Sequence, residues 1–382
     1  MTYEEKLAFV NSSSTLVEWI NNFEAYIIRN SLEKEYRPKN PFFISWNLTN
    51  TCNLACKYCS NACSFTTLNE MDLQDKLKTI DVLVNNGVKH IRLLGGEPSV
   101  VLGFPQIIDA ILQNNIFLSF SSNGIGITEE LMAVLRKYSP HMYKINISCD
   151  SCIEENNDAN RGKNSYKNAN VAINRLLTIP GVDLTFFSVL TNATKKDIIP
   201  TYNYLKKLGV SGYGISVALK KGRATDEDII SAKDIIDDVI WVIEDSKNSN
   251  ITSFFSNLGY YKNENYDENY AFEDFSENEC DIVFREKCNC CITRLHVESN
   301  GDIYPCDHLK FPPFLLGNIL KKEFVDIWNN EITQELAAIR RKDKEVCQNC
   351  KFKACTTGCM GLAYEKYGSF YRKDPNCGVM KK

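Results

Sequence analysis

The sequence predicts an α/β protein, with a partial (β/α)6 TIM-like barrel followed by a smaller, cysteine-rich C-terminal domain. Strand-like and helix-like segments alternate over roughly 200 residues, which is typical of parallel strands joined by helical crossovers. Polar residues and glycines recur where the predicted strands end, and 16 cysteines gather towards the two ends of the chain. A barrel is the main interpretation of this pattern, and a doubly wound sheet is the alternative.

The individual elements follow from hydrophobic periodicity. Apolar positions at helical spacing predict one or two short helices within residues 4–33. Strands are predicted at residues 42–48, 90–94, 117–121, 143–148, 183–190 and 213–218. Helices are predicted at residues 72–85, 104–113, 129–137, 166–177, 198–208 and 226–243. We divide the chain into an N-terminal helical segment (1–39), the barrel (40–250), a linker or pocket loop (251–279) and the cysteine-rich domain (280–382).

Composition excludes several classes of protein. With 382 residues, 44% hydrophobic and 24% charged, the chain is neither disordered nor fibrous. A net charge of −4 gives no basic excess for nucleic-acid binding. No apolar stretch is long enough to span a membrane, and Met1–Lys6 does not resemble a signal peptide. We therefore expect a cytoplasmic protein without nucleic-acid or membrane partners, in which reduced thiols serve as metal ligands.

The first cysteine group directly follows the first predicted strand. Cys52, Cys56 and Cys59 have the spacing C-x3-C-x2-C, and Cys63 follows them. Three thiolates on one short loop can hold three corners of a cubane iron–sulfur cluster and leave the fourth iron open. A structural zinc ion bound by all four cysteines is the alternative.

A second motif, Gly95-Gly96-Glu97-Pro98, follows the second predicted strand. The two glycines permit close approach of the backbone to a ligand, and Glu97 offers a carboxylate to an ammonium group. Taken alone, this motif is equally compatible with a structural turn. Its position one βα unit after the cysteine loop favours a ligand site.

Together the two motifs resemble those of the radical S-adenosylmethionine (SAM) enzymes, and the resemblance covers residues 40–220. It implies that Cys52, Cys56 and Cys59 bind a [4Fe–4S] cluster whose open iron binds SAM. It further implies that Gly95, Gly96, Glu97 and Pro98 contact the methionine part of SAM, and that reductive cleavage yields a 5′-deoxyadenosyl radical. Other SAM contacts implied by the resemblance, with capping or turn roles as the alternative, are Ser121, Asn123, Ser148, Asp150 and Arg161.

The C-terminal cysteines resemble the SPASM domain, an extension of some radical SAM enzymes that binds two auxiliary [4Fe–4S] clusters. Their spacing is C-x9-G-x4-C, then C-x2-C-x4-C-x3-C and a last cysteine, where the family commonly has x5 in place of x4. The resemblance implies one cluster on Cys291, Cys306 and Cys359, with a fourth ligand from Cys280, Cys288 or Cys290. The other cluster would be bound by Cys347, Cys350, Cys355 and Cys377. A pair of zinc ribbons is the alternative.

The resemblance implies an oxidoreductase or maturase that oxidises or crosslinks a side chain of a peptide or protein, with the auxiliary clusters accepting the electron. Dehydrogenation or epimerisation of a small molecule, such as an aminocyclitol or sugar, is the alternative. A third hypothesis, an electron carrier, leaves the Gly95–Pro98 motif unexplained. An electron donor such as flavodoxin or ferredoxin is expected as a partner. The only candidates for a catalytic base, Asp281 and Asp307, are weak ones.

Overall fold

The computed structural model describes residues 37–66, 69–231, 234–256, 288–339, 343–344, 347–348 and 358–375. Seven parallel strands lie side by side in the order of the chain. They are β1 (Phe43–Thr49), β2 (His90–Gly95), β3 (Phe117–Ser122), β4 (Tyr143–Ser148), β5 (Asp183–Leu190), β6 (Gly212–Val217) and β7 (Thr252–Ser256). Because this order contains no reversal, the sheet is of the barrel type, and the doubly wound alternative is wrong.

Helices connect consecutive strands on the outside of the sheet. They are α1 (Leu73–Asn85), α2 (Phe104–Gln113), α3 (Glu129–Leu135), α4 (Glu154–Arg161), α5 (Ser165–Leu176), α6 (Ile198–Leu208) and α7 (Ile236–Ser246). The C-terminal part contains α8 (Phe324–Trp328), α9 (Glu331–Ala338) and α10 (Met360–Tyr367). No helix among the described residues is long and apolar enough to cross a membrane.

The two faces of the sheet differ in polarity. Ile44 of β1 is in register with Ile91 of β2, and both are buried in the main hydrophobic core. The next residue of β1, Ser45, pairs with Arg92, which in turn pairs with Ser119 of β3. Since alternate residues of a strand point to opposite faces, one face packs against the helices and the other gives the barrel a polar interior.

The C-terminal domain continues the same sheet. Strand β8 (Arg294–Val297) lies parallel to β1 on the side opposite β2. It forms an antiparallel hairpin with β9 (Asp302–Tyr304), which pairs with β10 (Gly317–Asn318). The two strands of the hairpin are joined by a turn at residues 298–301, in which the Gly301 N–H donates to the Glu298 carbonyl at 2.9 Å and Gly301 adopts a positive φ of 86°. The cysteine-rich domain is therefore joined to the barrel by main-chain hydrogen bonds.

The structure differs from the predicted elements at one helix, and it contains one strand and one helix that were not predicted. The helix predicted at 226–243 is confirmed in its C-terminal half: among the described residues of this stretch, Ile236–Ser246 is helical, whereas the carboxylates of Asp228 and Asp234 bind the backbone N–H groups of Thr225 and Ser231 in local turns. The segment assigned to a linker begins with β7. Helix α4 was not predicted, because its sequence, EENNDANR, has no apolar periodicity. The predicted N-terminal helices lie outside the described residues.

Candidate active site and auxiliary cysteine site

The cysteine loop leaves the end of β1 and returns to its own starting point. The backbone N–H of Cys52 donates to the carbonyl of Ser64 at 2.8 Å, which closes the base of the loop. Cys52 is buried, whereas Cys56 and Cys59 are half-buried. Between these residues the chain makes only short turns, so contacts from the surrounding barrel loops must fix its shape.

The Gly95–Pro98 motif packs against this base. The Gly96 N–H donates to the Thr49 carbonyl at 2.6 Å, and the Glu97 N–H donates to the Thr51 carbonyl at 2.9 Å. A Cβ atom on Gly95 would lie 2.3 Å from the oxygen of Thr49, and one on Gly96 would lie 2.1 Å from the oxygen of Thr51. The two glycines therefore allow this motif to contact the backbone of Thr49 and Thr51, at the start of the cysteine loop.

Glu97 is almost completely buried, with 2% of its surface exposed. One carboxylate oxygen accepts from Ser99, through its N–H at 3.2 Å and its hydroxyl at 2.6 Å. The other oxygen accepts from the Asn123 N–H at 2.6 Å. Burial raises the pKa of Glu97, and these hydrogen bonds oppose the rise. A carboxylate can accept further hydrogen bonds, so a cationic ligand remains possible here.

The predicted residues on β3 and β4 reach the same region to different degrees. Asn123 donates from its side-chain nitrogen to the Asn53 side-chain oxygen at 2.7 Å, and so ties the loop after β3 to the cysteine loop. The Ser121 hydroxyl lies 3.5 Å from the side-chain nitrogen of Asn146. Ser148 is half-buried at the end of β4. Only Asn123 among these residues directly supports the cysteine loop.

On the other side of the loop, Tyr58, Asp150 and Arg161 form a buried group. The Tyr58 hydroxyl donates to the Asp150 carboxylate at 2.7 Å, and the Arg161 guanidinium donates to Asp150 at 3.0 Å and to the Tyr58 oxygen. Asp150 also accepts from the Val189 N–H at 3.1 Å. The protein thus satisfies both oxygens of Asp150, while the Arg161 Nε atom is buried without a partner in the described part of the chain.

The C-terminal end of helix α4 contacts the cysteine loop next to this group. The Lys57 N–H donates to the Asn160 carbonyl at 2.9 Å, and the Cys56 Sγ atom lies 3.8 Å from the Arg161 carbonyl oxygen. Both carbonyls belong to the C-terminal end of α4, where helix carbonyls lack intrahelical partners. The unpredicted helix therefore fixes the middle of the loop.

The charges and positions of the loop thiols bear on the kind of metal centre that they can hold. Burial raises the pKa of Cys52 to about 11 and also raises that of Cys56, so their thiolates need a nearby cationic metal centre. Among the described residues, no three His, Cys, Asp or Glu side chains converge on one ion position. This arrangement is compatible with a cubane, because each thiolate then binds a different iron.

Five thiols gather beside β8 in the C-terminal domain. The Cys290 Sγ atom lies 3.8 Å from that of Cys291, and the Cys290 thiol is close enough to Cys288 and Cys306 for these thiols to raise its pKa. Cys359 is close enough to interact electrostatically with Cys288 and Cys306. Cys290 is 3% exposed and Cys291 is fully buried. The domain thus brings together one thiol more than a [4Fe–4S] cluster needs.

Comparisons with known proteins identify both parts of the chain. The sequence model of the radical SAM superfamily matches residues 46–205, and that of SPASM, an iron–sulfur cluster-binding domain, matches residues 288–351. The two matches together span more than half of the chain. This protein is a radical SAM enzyme with a SPASM domain. SAM and [4Fe–4S] clusters are therefore its cofactors.

Related proteins cover most of this radical SAM enzyme. It is 24% identical to the AdoMet-dependent heme synthase of Methanosarcina barkeri, over 88% of this chain and 96% of that protein. It is 26% identical to the mycofactocin maturase MftC of Mycolicibacterium smegmatis, over 88% and 82% respectively. The structure of Streptococcus suis SuiB bound to its precursor peptide SuiA has a TM-score of 0.69 and 17% identity, over 94% of this chain and 80% of SuiB. This last similarity supports the fold.

Several predicted residues of the enzyme lie outside the described part: Cys280, Cys350, Cys355, Cys377 and Asp281. Cys347 is described, and its N–H donates to the Lys344 carbonyl at 2.8 Å. Asp307 accepts from Arg294 at 2.8 Å. Burial would raise the pKa of Asp307, but Arg294 and His308 hold it well below its usual range. Asp307 is therefore a poor proton acceptor.

Two residues that hold the cysteine loop in place were not predicted from the sequence. Asn53 directly follows Cys52, and nothing in its spacing identified it. Arg223 follows β6, and its side chain donates to the carbonyls of Cys56 at 2.9 Å and Cys63 at 2.7 Å. The neighbouring Gly222 has a φ of 65°. A glycine after a barrel strand was the available signal, because this edge carries the functional loops.

Proposed function

We propose that this radical SAM enzyme oxidises or crosslinks a side chain of a peptide or protein substrate, and that auxiliary clusters accept the resulting electron. The observation that carries the proposal is the gathering of five thiols beside β8, on a sheet continuous with the barrel. A site with enough thiolates for full ligation of its cluster has no need of an open iron for substrate. Such a cluster is suited to electron transfer.

The relatives support the substrate class. MftC is a maturase, and SuiB has been solved with a precursor peptide bound. The heme synthase relative favours a second candidate function, in which the enzyme oxidises a small molecule. We prefer the peptide because a maturase and a peptide-bound neighbour both align with the barrel and the SPASM domain together.

In this proposal the protein binds and aims the cofactors. The cluster and SAM, when bound, supply a hydrogen-abstracting radical. Glu97 would accept a hydrogen bond from the SAM ammonium, while Asn123 and Ser99 keep its carboxylate in place. Gly95 and Gly96 hold this carboxylate against the base of the cysteine loop. Burial of Cys52 and Glu97 would limit the access of water to this side of the bound cofactors.

The other predicted SAM contacts have different structural support. Asn123 is favoured by its position between Glu97 and Asn53, and Ser121, Ser148 and Pro98 remain predictions. Asp150 has both oxygens engaged by protein donors, which favours a supporting role. Arg161 can contact the SAM carboxylate only through the guanidinium atoms that Asp150 and Tyr58 leave free.

The contacts beside β8 bear on which cysteines bind the first auxiliary cluster. The resemblance to SPASM domains implies Cys291, Cys306 and Cys359 together with an upstream cysteine. The contacts favour Cys290, since its thiol interacts with Cys288, Cys291 and Cys306. We propose that Cys288, Cys290, Cys306 and Cys359 are the ligands and that Cys291 is the spare thiol. The second set, Cys347, Cys350, Cys355 and Cys377, remains a prediction, as do a flavodoxin or ferredoxin donor and a cytoplasmic location.

The test uses anaerobically purified enzyme, reductant and SAM. Candidate peptides are those encoded by short reading frames near the gene, and small molecules are assayed in parallel. Mass spectrometry should detect a peptide that has lost two hydrogens, together with 5′-deoxyadenosine. The matched variant Cys306→Ala should still cleave SAM but should not release the oxidised peptide.

Each other outcome has a defined meaning. Oxidation of a small molecule without any change in the peptides would favour the second candidate. Incorporation of deuterium from solvent without loss of hydrogen would indicate epimerisation. If strong reductant released no 5′-deoxyadenosine at all, the electron-carrier hypothesis would replace the proposal.

A further inference from the structure

The segment after β6 packs directly on the cysteine loop. A Cβ atom on Gly222 would lie 2.2 Å from the carbonyl oxygen of Cys59 and 2.5 Å from that of Ser60. The backbone N–H of Arg223 donates to the Cys59 carbonyl at 3.0 Å. Two strand-end loops that are far apart in sequence are therefore in main-chain contact, and any side chain at position 222 would separate them.

Arg223 extends this contact with its side chain. The Nε atom donates to the Cys56 carbonyl and the Nη1 atom to the Cys63 carbonyl. Together with its backbone N–H, one residue thus binds the carbonyls of three cysteines in the loop. The planar guanidinium presents its donors in a fixed geometry, so it can hold the two side-chain acceptors at a set separation.

We call Arg223 and the three cysteine carbonyls that it binds the Arg223 clamp. The neighbouring Lys221 connects this clamp to the SPASM domain. Its ammonium group lies 3.4 Å from the Glu365 carboxylate and 5.9 Å from the centre of the Phe311 ring. Glu365 belongs to α10, and Cys359 caps the N-terminus of that helix by accepting from the Leu362 N–H at 3.4 Å. A chain of contacts therefore runs from a proposed auxiliary ligand to the cysteine loop.

We propose that Arg223 is a positioning residue for the SAM-binding cluster, and that Lys221 and Glu365 tie it to the SPASM domain. Arg223 fixes the backbone around Cys56 and Cys59, and so sets where these sulfurs place the open iron. Its positive charge also lies beside the cluster site and favours the reduced, more negative state. The proposal rests on Cys52, Cys56 and Cys59 being the cluster ligands.

Two substitutions separate the clamp from the charge. Arg223→Lys keeps the positive charge but loses the fixed pair of donors, whereas Arg223→Met loses both. Lys220→Ala is the matched control, because Lys220 is 67% exposed on the same segment and pairs only with the exposed Asp226 among the described residues. Iron content and circular dichroism show whether each variant folds and binds its clusters.

The decisive measurements need no substrate. They are the electron paramagnetic resonance spectrum of the reduced SAM-binding cluster with and without SAM, its midpoint potential, and the dissociation constant of SAM. We expect Arg223→Lys to weaken SAM binding about tenfold, the effect of losing one to two hydrogen bonds, and to alter the SAM-induced spectrum at nearly unchanged potential. Arg223→Met should do the same and also lower the potential. Lys220→Ala should match the native enzyme.

The proposal is overturned if the folded, cluster-loaded Arg223→Met variant has the native spectrum, potential and SAM affinity. A native SAM affinity and spectrum in Arg223→Lys would reject the clamp and leave only the charge. The tie to the SPASM domain is rejected if Glu365→Gln and Lys221→Met leave the SAM-induced spectrum unchanged. These readouts are independent of the substrate, so a wrong substrate class would not affect them.

Discussion

The two cysteine sites of this enzyme differ in how many thiols lie in contact with one another. In the loop after β1, Cys59 interacts with Cys63, but Cys52 and Cys56 have separate backbone neighbours, the Leu54 N–H and the Arg161 carbonyl, and buried carboxylates lie on both sides. Beside β8, Cys290 instead interacts with three other thiols. Spaced thiols among polar groups suit a cluster that must accept a ligand, whereas crowded thiols suit a fully ligated cluster.

The largest expected effect tests the cysteine loop after β1 as the site of the SAM-binding cluster. Cys52→Ala should reduce SAM cleavage to background, because a cluster that needs three protein thiolates is left with two. Release of 5′-deoxyadenosine, measured by chromatography, reports the loss. Cys152→Ala, which removes a half-buried thiol outside both sites, should retain full cleavage. Substantial cleavage by Cys52→Ala would contradict the assignment of the loop.

The next test concerns the five thiols beside β8. Cys290→Ala should lose one auxiliary cluster, about four iron atoms per chain, and should stop product formation while SAM cleavage continues. Cys291→Ala should keep its iron, since we propose that it removes the spare thiol. Iron analysis and Mössbauer spectroscopy measure both. If Cys291→Ala lost iron and Cys290→Ala kept it, Cys291 would be a ligand, as the resemblance to SPASM domains implies.

The third test breaks the buried group next to Cys56. Asp150→Asn should destabilise the protein by about 3 kcal/mol, because it leaves the Arg161 charge buried without its carboxylate. Anaerobic guanidinium unfolding of the holoenzyme gives the change. Asp226→Asn, which breaks an ion pair between exposed side chains, is the control and should leave the unfolding midpoint unchanged. Equal midpoints for the two variants would show that the buried group contributes nothing to stability.

The smallest effect is expected at Glu97. Glu97→Gln should weaken SAM binding about tenfold, the difference between a charge-assisted and a neutral hydrogen bond. Equilibrium binding to the oxidised, cluster-loaded enzyme measures this change without turnover. Glu129→Gln, on an exposed carboxylate of α3, should bind SAM as the native enzyme does. An unchanged affinity in Glu97→Gln would assign Glu97 to the turn alone.

The sequence predicted the barrel and both cysteine sites because their signals are local. Strand periodicity, the C-x3-C-x2-C spacing and the Gly95–Pro98 motif each lie within a few residues. Contacts between distant loops gave no such signal. Arg223 contacts Cys56 and Cys63 across more than 150 residues of chain, and the polar sequence of α4 conceals its role beneath the loop. The helix predicted at 226–243 begins later than expected because the carboxylates of Asp228 and Asp234 compete for backbone N–H groups.

The pairing of β8 with β1 also constrains the order in which the chain folds. Ser45 and His296 are register partners although 251 residues separate them. During synthesis, β1 therefore exposes an unpaired edge until most of the polypeptide has left the ribosome. Such an edge invites association with other chains. We expect chaperones, or early cluster insertion, to protect the nascent barrel, and versions truncated before β8 to aggregate.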